Sequence, residues 1–192
     1  MYTISSDKIQ MRVRELGLEI SEDYKNSTPV FITLLKGAFI FLADLVRELT
    51  IPHEIDFITL SSYRNGLQRS KTIEINNLIR NNIEERDIII VDEIIDTGNT
   101  LSKLMNNLLD AGAKSIKICT LLDKQTKREV EIPIDYKGFS IPDVFVIGYG
   151  LDFKEHFRHL SFIRELTSDL REMDGINEQF SKIEKEIKEQ RI

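Results

Sequence analysis

With one cysteine among its residues, Cys119, the chain can form no internal disulfide framework and no Cys-based zinc cluster. That cysteine lies inside the apolar run IKICTLL, so a buried thiol and a reducing compartment are expected. Tryptophan is absent, and no segment approaches the ~18 consecutive apolar residues that a membrane span needs. The N-terminal stretch mixes charges with apolar residues and lacks the continuous apolar core of a signal peptide, so a cytoplasmic protein is expected. A positive balance is missing too: the net charge of -6 argues against a nucleic-acid coat, although a local basic pocket is compatible with it. Neither a GxGxxG nor a GxxxxGK[ST] pattern occurs, which removes the usual support for dinucleotide and P-loop readings. What remains is an ordinary soluble composition, 41% hydrophobic and 30% charged, over 192 residues, enough for one domain with an adequate core.

The most informative stretch is residues 87–100, DIIIVDEIIDTGNT. Its unbroken run of β-branched residues reads as a strand buried on both faces, as in a covered parallel sheet. Leu101, Leu104 and Leu108 then recur at helical spacing, and Ala111-Gly112 supplies a stop. Between strand and helix lie Asp92, Glu93 and Asp96, followed by Thr97, Gly98, Asn99 and Thr100. Amides and hydroxyls at a helix start make an anion site, and Gly98 lets the backbone approach closely. Carboxylates beside an anion cradle conflict unless the ligand also carries sugar hydroxyls or a divalent cation; a phosphorylated sugar satisfies both. On these residues alone, an equally natural reading is a capped helix with solvated acids.

The rest of the chain alternates strands and helices, which argues for an α/β fold with a mainly parallel sheet. A first helix carries Ile9, Val13, Leu16 and Ile20 on one face. Strands are expected at 29–35 (PVFITLL), 54–62, 115–122 and, as a last core strand, 144–147 (VFVI). A helix follows the first strand over 38–49. The polar segment 63–72 contains Asn65-Gly66 and reads as a turn or exposed loop. From Ile163 through Ile187, apolar residues keep helical spacing in a charged tail interrupted by Gly175, read as a surface helix packed on the body. His156 and His159 stand at i, i+3 with no third ligand converging in sequence, so surface histidines are favoured over a zinc site.

Five blocks, in order, carry a resemblance to a known family. VDEIIDTGNTL resembles the phosphoribosyl-pyrophosphate (PRPP) motif of type I phosphoribosyltransferases, in the form found in hypoxanthine-guanine phosphoribosyltransferases. LLKGA (34–38) is similar to that family's pyrophosphate loop, SSY (61–63) to its mobile active-site loop, and LLDK (121–124) to its purine-side lysine segment. GFSIPDVFVIGYGLDF (138–153), followed by Arg158, is similar to its base and metal segment.

The resemblance implies a Rossmann-like parallel sheet flanked by helices, with a small hood and a mobile loop. Residues 1–192 would form one phosphoribosyltransferase domain, with 165–192 a charged helical C-terminal extension. It implies purine salvage: hypoxanthine or guanine plus PRPP would give IMP or GMP plus pyrophosphate, with Mg²⁺ as cofactor. Asp92 and Glu93 would hold the ribose hydroxyls, directly or through Mg²⁺, and Asp96 would be the general acid/base at purine N7. Asp96, Thr97, Gly98, Asn99 and Thr100 would bind the 5′-phosphate. Lys36, Gly37 and Arg158 would bind pyrophosphate, with Arg128 a further candidate there. Lys124 would donate to purine O6, Phe145 would stack on the base, and Val146 and Asp152 would complete the purine side. Asp152 would also bind the metal together with Asp92 and Glu93. Ser62 and Tyr63 would open the lid. A dimer or tetramer, small-molecule substrates and no nucleic-acid or membrane partner complete the expectation. Two departures from the family pattern stand out: Glu93 replaces the second Asp, and Arg69-Ser70-Lys71 replaces a small, Gly-containing turn.

Overall fold

The computed structural model describes residues 1–59, 82–173 and 175–190. Two apolar runs form its centre, β2 (Val30–Leu35) and β4 (Asp87–Ile95). Both are buried on both faces, because helices cover each side of the sheet they share. The five-stranded sheet has the order β3-β2-β4-β5-β6, adding β3 (Glu54–Thr59), β5 (Ser115–Asp123) and β6 (Tyr136–Ser140). Every pairing in it is parallel. On one face, α1 (Ser6–Asp23) buries Ile9, Val13, Leu16 and Ile20, and α2 (Phe39–Arg47) buries Phe41, Leu42 and Leu45. On the other, α3 (Asn99–Asp110) buries Leu101, Leu104 and Leu108 against Ile32, Ile88, Ile90 and Ile118.

A smaller antiparallel sheet forms a hood, in the order β1 (Thr3–Ile4), β8 (Ile163–Glu165), β7 (Val146–Ile147). The VFVI run expected as a last core strand is therefore corrected. Only Val146–Ile147 is strand, and it pairs with β8 in the hood, because Tyr136–Ser140 already occupies the edge beside β5. Ile163, expected on a helical stripe, lies instead in β8, where it pairs with Ile4 of β1. Two helices follow, α4 (Ser168–Glu172) and α5 (Ile176–Gln190), separated at Gly175, whose φ is 98°. Ile183 of α5 is buried against Ile147, Phe157, Leu166 and Leu170. Cys119 is fully buried, and burial pushes its thiol pKa up, away from thiolate chemistry. The lid residues Ser62 and Tyr63, and the Asn65-Gly66 turn, lie outside the described residues.

Candidate active site

Strand order reverses between β2 and β4: the chain leaves β2 for β3 on one side and returns to β4 on the other. Open α/β sheets bind ligands at the carboxyl ends of strands at such a point. Pairing between β2 and β4 stops at Thr33–Val91, whereas β4 stays with β5 as far as Ile95–Asp123. Among the described residues, 92–95 thus have one unpaired edge. A cleft of about 200 Å³ opens there, lined by Lys36, Gly37, Asp92, Glu93, Asp96, Thr97, Gly98 and Thr100 together with apolar neighbours.

The two adjacent acids on that edge are abnormal. Asp92 is buried, its Oδ1 accepts a 3.1 Å bond from the Glu93 amide, and the two acid side chains also interact with each other. Burial, then the negative charge of Glu93, raises the Asp92 pKa well above the usual carboxylate range. Glu93 is raised by burial as well and by Asp152, with Arg158 acting in the opposite direction. Gly37 admits the Glu93 carboxylate, since a Cβ there would overlap it. A Cβ on Gly150 would likewise overlap the Gly37 carbonyl. The lysine loop, the acid pair and the hood loop therefore meet at one place.

At the other end of the cleft, α3 starts at Gly98, with φ 86° and no side-chain cap. The Asn99 amide donates to Thr97 Oγ1 at 3.4 Å, and Thr97, Gly98 and Thr100 line the cleft. The loop is tied down from behind. The Glu129 and Val130 amides donate to the Thr97 carbonyl at 3.0 and 3.1 Å, and Asn99 Nδ2 donates to Glu129 at 2.7 Å. Arg128 is paired with the buried Asp123 and packs against Gly98, on the helix-start side rather than the pyrophosphate side expected for it. Asp96 Oδ1 is buried without a hydrogen-bond partner, a polar atom left for a ligand.

Lys124 follows directly on β5 and is buried; its amide donates to the Ile95 carbonyl at 3.0 Å, and its Nζ lies 3.8 Å from Asp143. Lys127 on the same turn pairs with Asp143 at 3.0 Å, and its pKa is raised by that bond and then by the negative charge of Asp96. Phe145 is 38% exposed, edge-on to Phe153 at 5.8 Å, so it is presented to solvent rather than packed in a core. Val146 is buried beside it. Arg158 pairs with Asp152 at 2.9 Å and donates to the Gly150 carbonyl at 2.8 Å. Lys36 is exposed and reaches Glu155 at 2.9 Å; the Leu35–Lys36 peptide is cis. The cleft lining thus unites 36–37 with 92–98 and Thr100, Asp152 and Arg158 adjoin it through Glu93, and Asn99, Lys124, Phe145 and Val146 stand outside it.

Three participants escape sequence reasoning: Asp123, which anchors Arg128, Glu155, which joins Lys36 to Arg158, and Gly150. Only Gly150 left a signal, the Gly-Tyr-Gly spacing. The other two are ordinary acids whose partners are distant or irregularly placed.

A family model of the phosphoribosyl transferase domain matches residues 5–154. Hypoxanthine phosphoribosyltransferase of Salmonella typhimurium is 46% identical over 162 residues, covering 83% of this chain and 91% of the relative. Hypoxanthine-guanine phosphoribosyltransferase of Bacillus subtilis is 44% identical over 160 residues, covering 83% and 89%. Among solved structures, a Bacillus anthracis hypoxanthine-guanine phosphoribosyltransferase superposes with a TM-score of 0.79 at 39% identity, covering 87% of this chain and 99% of that one. A five-stranded parallel sheet with its cleft at the switch point, found with these matches, defines the class as an α/β phosphoribosyl-transferring enzyme. The chain belongs to the phosphoribosyltransferase family, in its hypoxanthine(-guanine) branch.

Proposed function

We propose that the protein transfers the 5-phosphoribosyl group of PRPP to N9 of hypoxanthine or guanine, releasing pyrophosphate. The observation that supports this best is the buried Asp96 Oδ1, unpartnered among the described residues and lining the cleft beside the start of α3. In this reading the amides and hydroxyls of 97–100 bind the 5′-phosphate, and Asp92 and Glu93 hold the ribose hydroxyls. Asp96 takes the N7 proton as N9 attacks the anomeric carbon. Lys36, the Gly37 amide and Arg158 bind the departing pyrophosphate, so positive charge lies where negative charge develops. Phe145 stacks on the base, Val146 contacts it through its backbone, and Ser62-Tyr63 closes over the site to exclude water.

The chemistry of the donors suits Mg²⁺. Asp92, Glu93 and Asp152 offer hard oxygens, and the raised pKa of the acid pair marks a place short of positive charge. No preformed cluster of three ligands exists among the described residues, and Mg²⁺ needs none, being commonly held by one or two carboxylates and substrate phosphates. When bound, Mg²⁺ would neutralise charge on PRPP and the leaving pyrophosphate.

Lys124 provides the selectivity. Its ammonium donates to a 6-oxo group, whereas adenine presents an amino donor and would leave the buried lysine unpaired, a mismatch that can discriminate by on the order of 10⁴. Lys124→Gln should therefore narrow the kcat/KM ratio of hypoxanthine over adenine; an unchanged ratio would take Lys124 out of this role. The remaining parts of the proposal are a cytoplasmic dimer or tetramer without nucleic-acid or membrane partners, and one domain over 1–192 with 165–192 as an extension. No helix among the described residues is long and apolar enough to cross a membrane.

A further inference from the structure

The hood loop 148–158 is built from backbone that side chains resist. Tyr149, Lys154, Glu155 and Phe157 have φ of 50°, 51°, 68° and 72°. Among the described residues only Glu85 otherwise joins them outside glycine. A bulky residue persists in the left-handed region only where its surroundings over-determine it. Phe157 is the bulkiest to do so with its side chain fully enclosed, at 1% exposure. It immediately precedes Arg158, which holds Asp152 and the Gly150 carbonyl.

Part of the cluster enclosing Phe157 comes from the C-terminal helix, beside Ile147, Leu166 and Leu170. The Phe180 ring lies 4.4 Å from that of Phe157 at 30°, stacks on His159 at 5.9 Å and meets His156 edge-on at 6.0 Å. One side chain of α5 thus touches the loop at two residues and His159 just past it. The helix is itself fastened. Gln179 donates to the carbonyls of Leu170 and Met173 at 2.8 and 3.2 Å, and Glu186 pairs with Arg164, which is fully buried in β8. All of α5 lies past residue 154, where the family match ends.

We propose that Phe180 is a positioning residue: by clamping Phe157 in its left-handed conformation, it sets Arg158 and Asp152 against the leaving-group side of the cleft. The inference rests on the pyrophosphate role of Arg158 and Asp152 given above. Its reach is limited to that side, since Lys124 and the 92–100 stretch are carried by β5 and β4 and not by this loop.

The test uses the full-length protein with Phe180→Ala, Phe180→Leu and, as an exposed control on the same helix, Lys182→Ala. Steady-state constants for PRPP and for hypoxanthine are measured with Mg²⁺ present, and binding of Mg²⁺-pyrophosphate is measured by calorimetry. Small misplacements of binding groups are costly, so Phe180→Ala should raise the PRPP KM and the pyrophosphate Kd by about tenfold. The hypoxanthine KM should stay near its original value, Phe180→Leu should recover most of the loss, and Lys182→Ala should match the wild type. Constants for both substrates rising together, or none moving in folded protein, would overturn the proposal. Should Phe180→Ala fail to fold, the same split is read on Phe180→Val, which also lacks the ring. Should the wild type form no nucleotide, the transferase reading fails, while the pyrophosphate calorimetry still decides the clamp by itself.

Discussion

The cleft is made by two loops of opposite construction. Residues 92–100 are regular: a strand runs out past its neighbour, turns through one glycine and starts a helix, so backbone geometry alone presents acids and amides. Residues 148–158 are irregular, left-handed at six positions, and hold their shape through tertiary contacts with Gly37, Phe162 and Phe180. The contrast parallels the chemistry proposed for them. The regular loop holds the phosphate, ribose and proton-transfer groups, which must be positioned finely at the reacting carbon. The irregular loop holds the groups for a leaving pyrophosphate, which must also let it go.

Substitutions can break each side separately. The largest effect is expected at Asp96→Asn, which keeps shape and removes the proton acceptor: kcat should fall by ~10²–10⁴. PRPP affinity, followed by calorimetry, should survive; near-normal turnover would remove Asp96 from acid/base work. Next comes Gly150→Ala. Its φ of 97° alone costs a side chain on the order of 1–3 kcal/mol, and the new Cβ would press on the Gly37 carbonyl. A lower thermal midpoint with a raised PRPP KM is expected, and an unchanged midpoint would show that the two loops do not lean on one another.

The smallest expected effect concerns the acid pair. Burial raises the folded-state pKa values of Asp92 and Glu93, so the folded chain keeps protons that the unfolded chain has released. The pair's contribution to stability is therefore fully present below the ordinary carboxylate pKa of about 4 and is lost as pH rises through the raised values. In ligand-free protein, Asp92→Asn should flatten that decline and leave the urea midpoint at neutral pH equal to or above that of the wild type. A steeper decline would mean that the pair is better satisfied than its burial indicates.

The same contrast explains what could be read from the sequence. β4 and α3 were legible because a two-face-buried strand and a helix stripe leave strong periodic patterns; Ile88 to Val91, Leu101, Leu104 and Leu108 all lie in the core. Strand β6 was missed, since YKGFS is short, mixed and half-exposed. The VFVI run was misplaced for a different reason. Val146–Ile147 is as apolar as a core strand, and only its pairing with Ile163–Glu165, far along the chain, shows where it belongs. In the site, Asp92, Glu93 and Asp96–Thr100 formed one continuous stretch, whereas the roles of Glu155 and Asp123 depend on side chains meeting across loops. Resemblance marked 138–153 and Arg158 as a functional block; the left-handed path that shapes it has no residue signature beyond its two glycines.

The central claim is tested most directly by presenting the protein with PRPP, Mg²⁺ and, in turn, hypoxanthine, guanine, adenine and orotate, while nucleotide and pyrophosphate are both followed. The account predicts equal amounts of the two products from hypoxanthine or guanine and none above background from adenine or orotate. PRPP binding with no nucleotide from any base, or a preference for adenine or orotate, would contradict it.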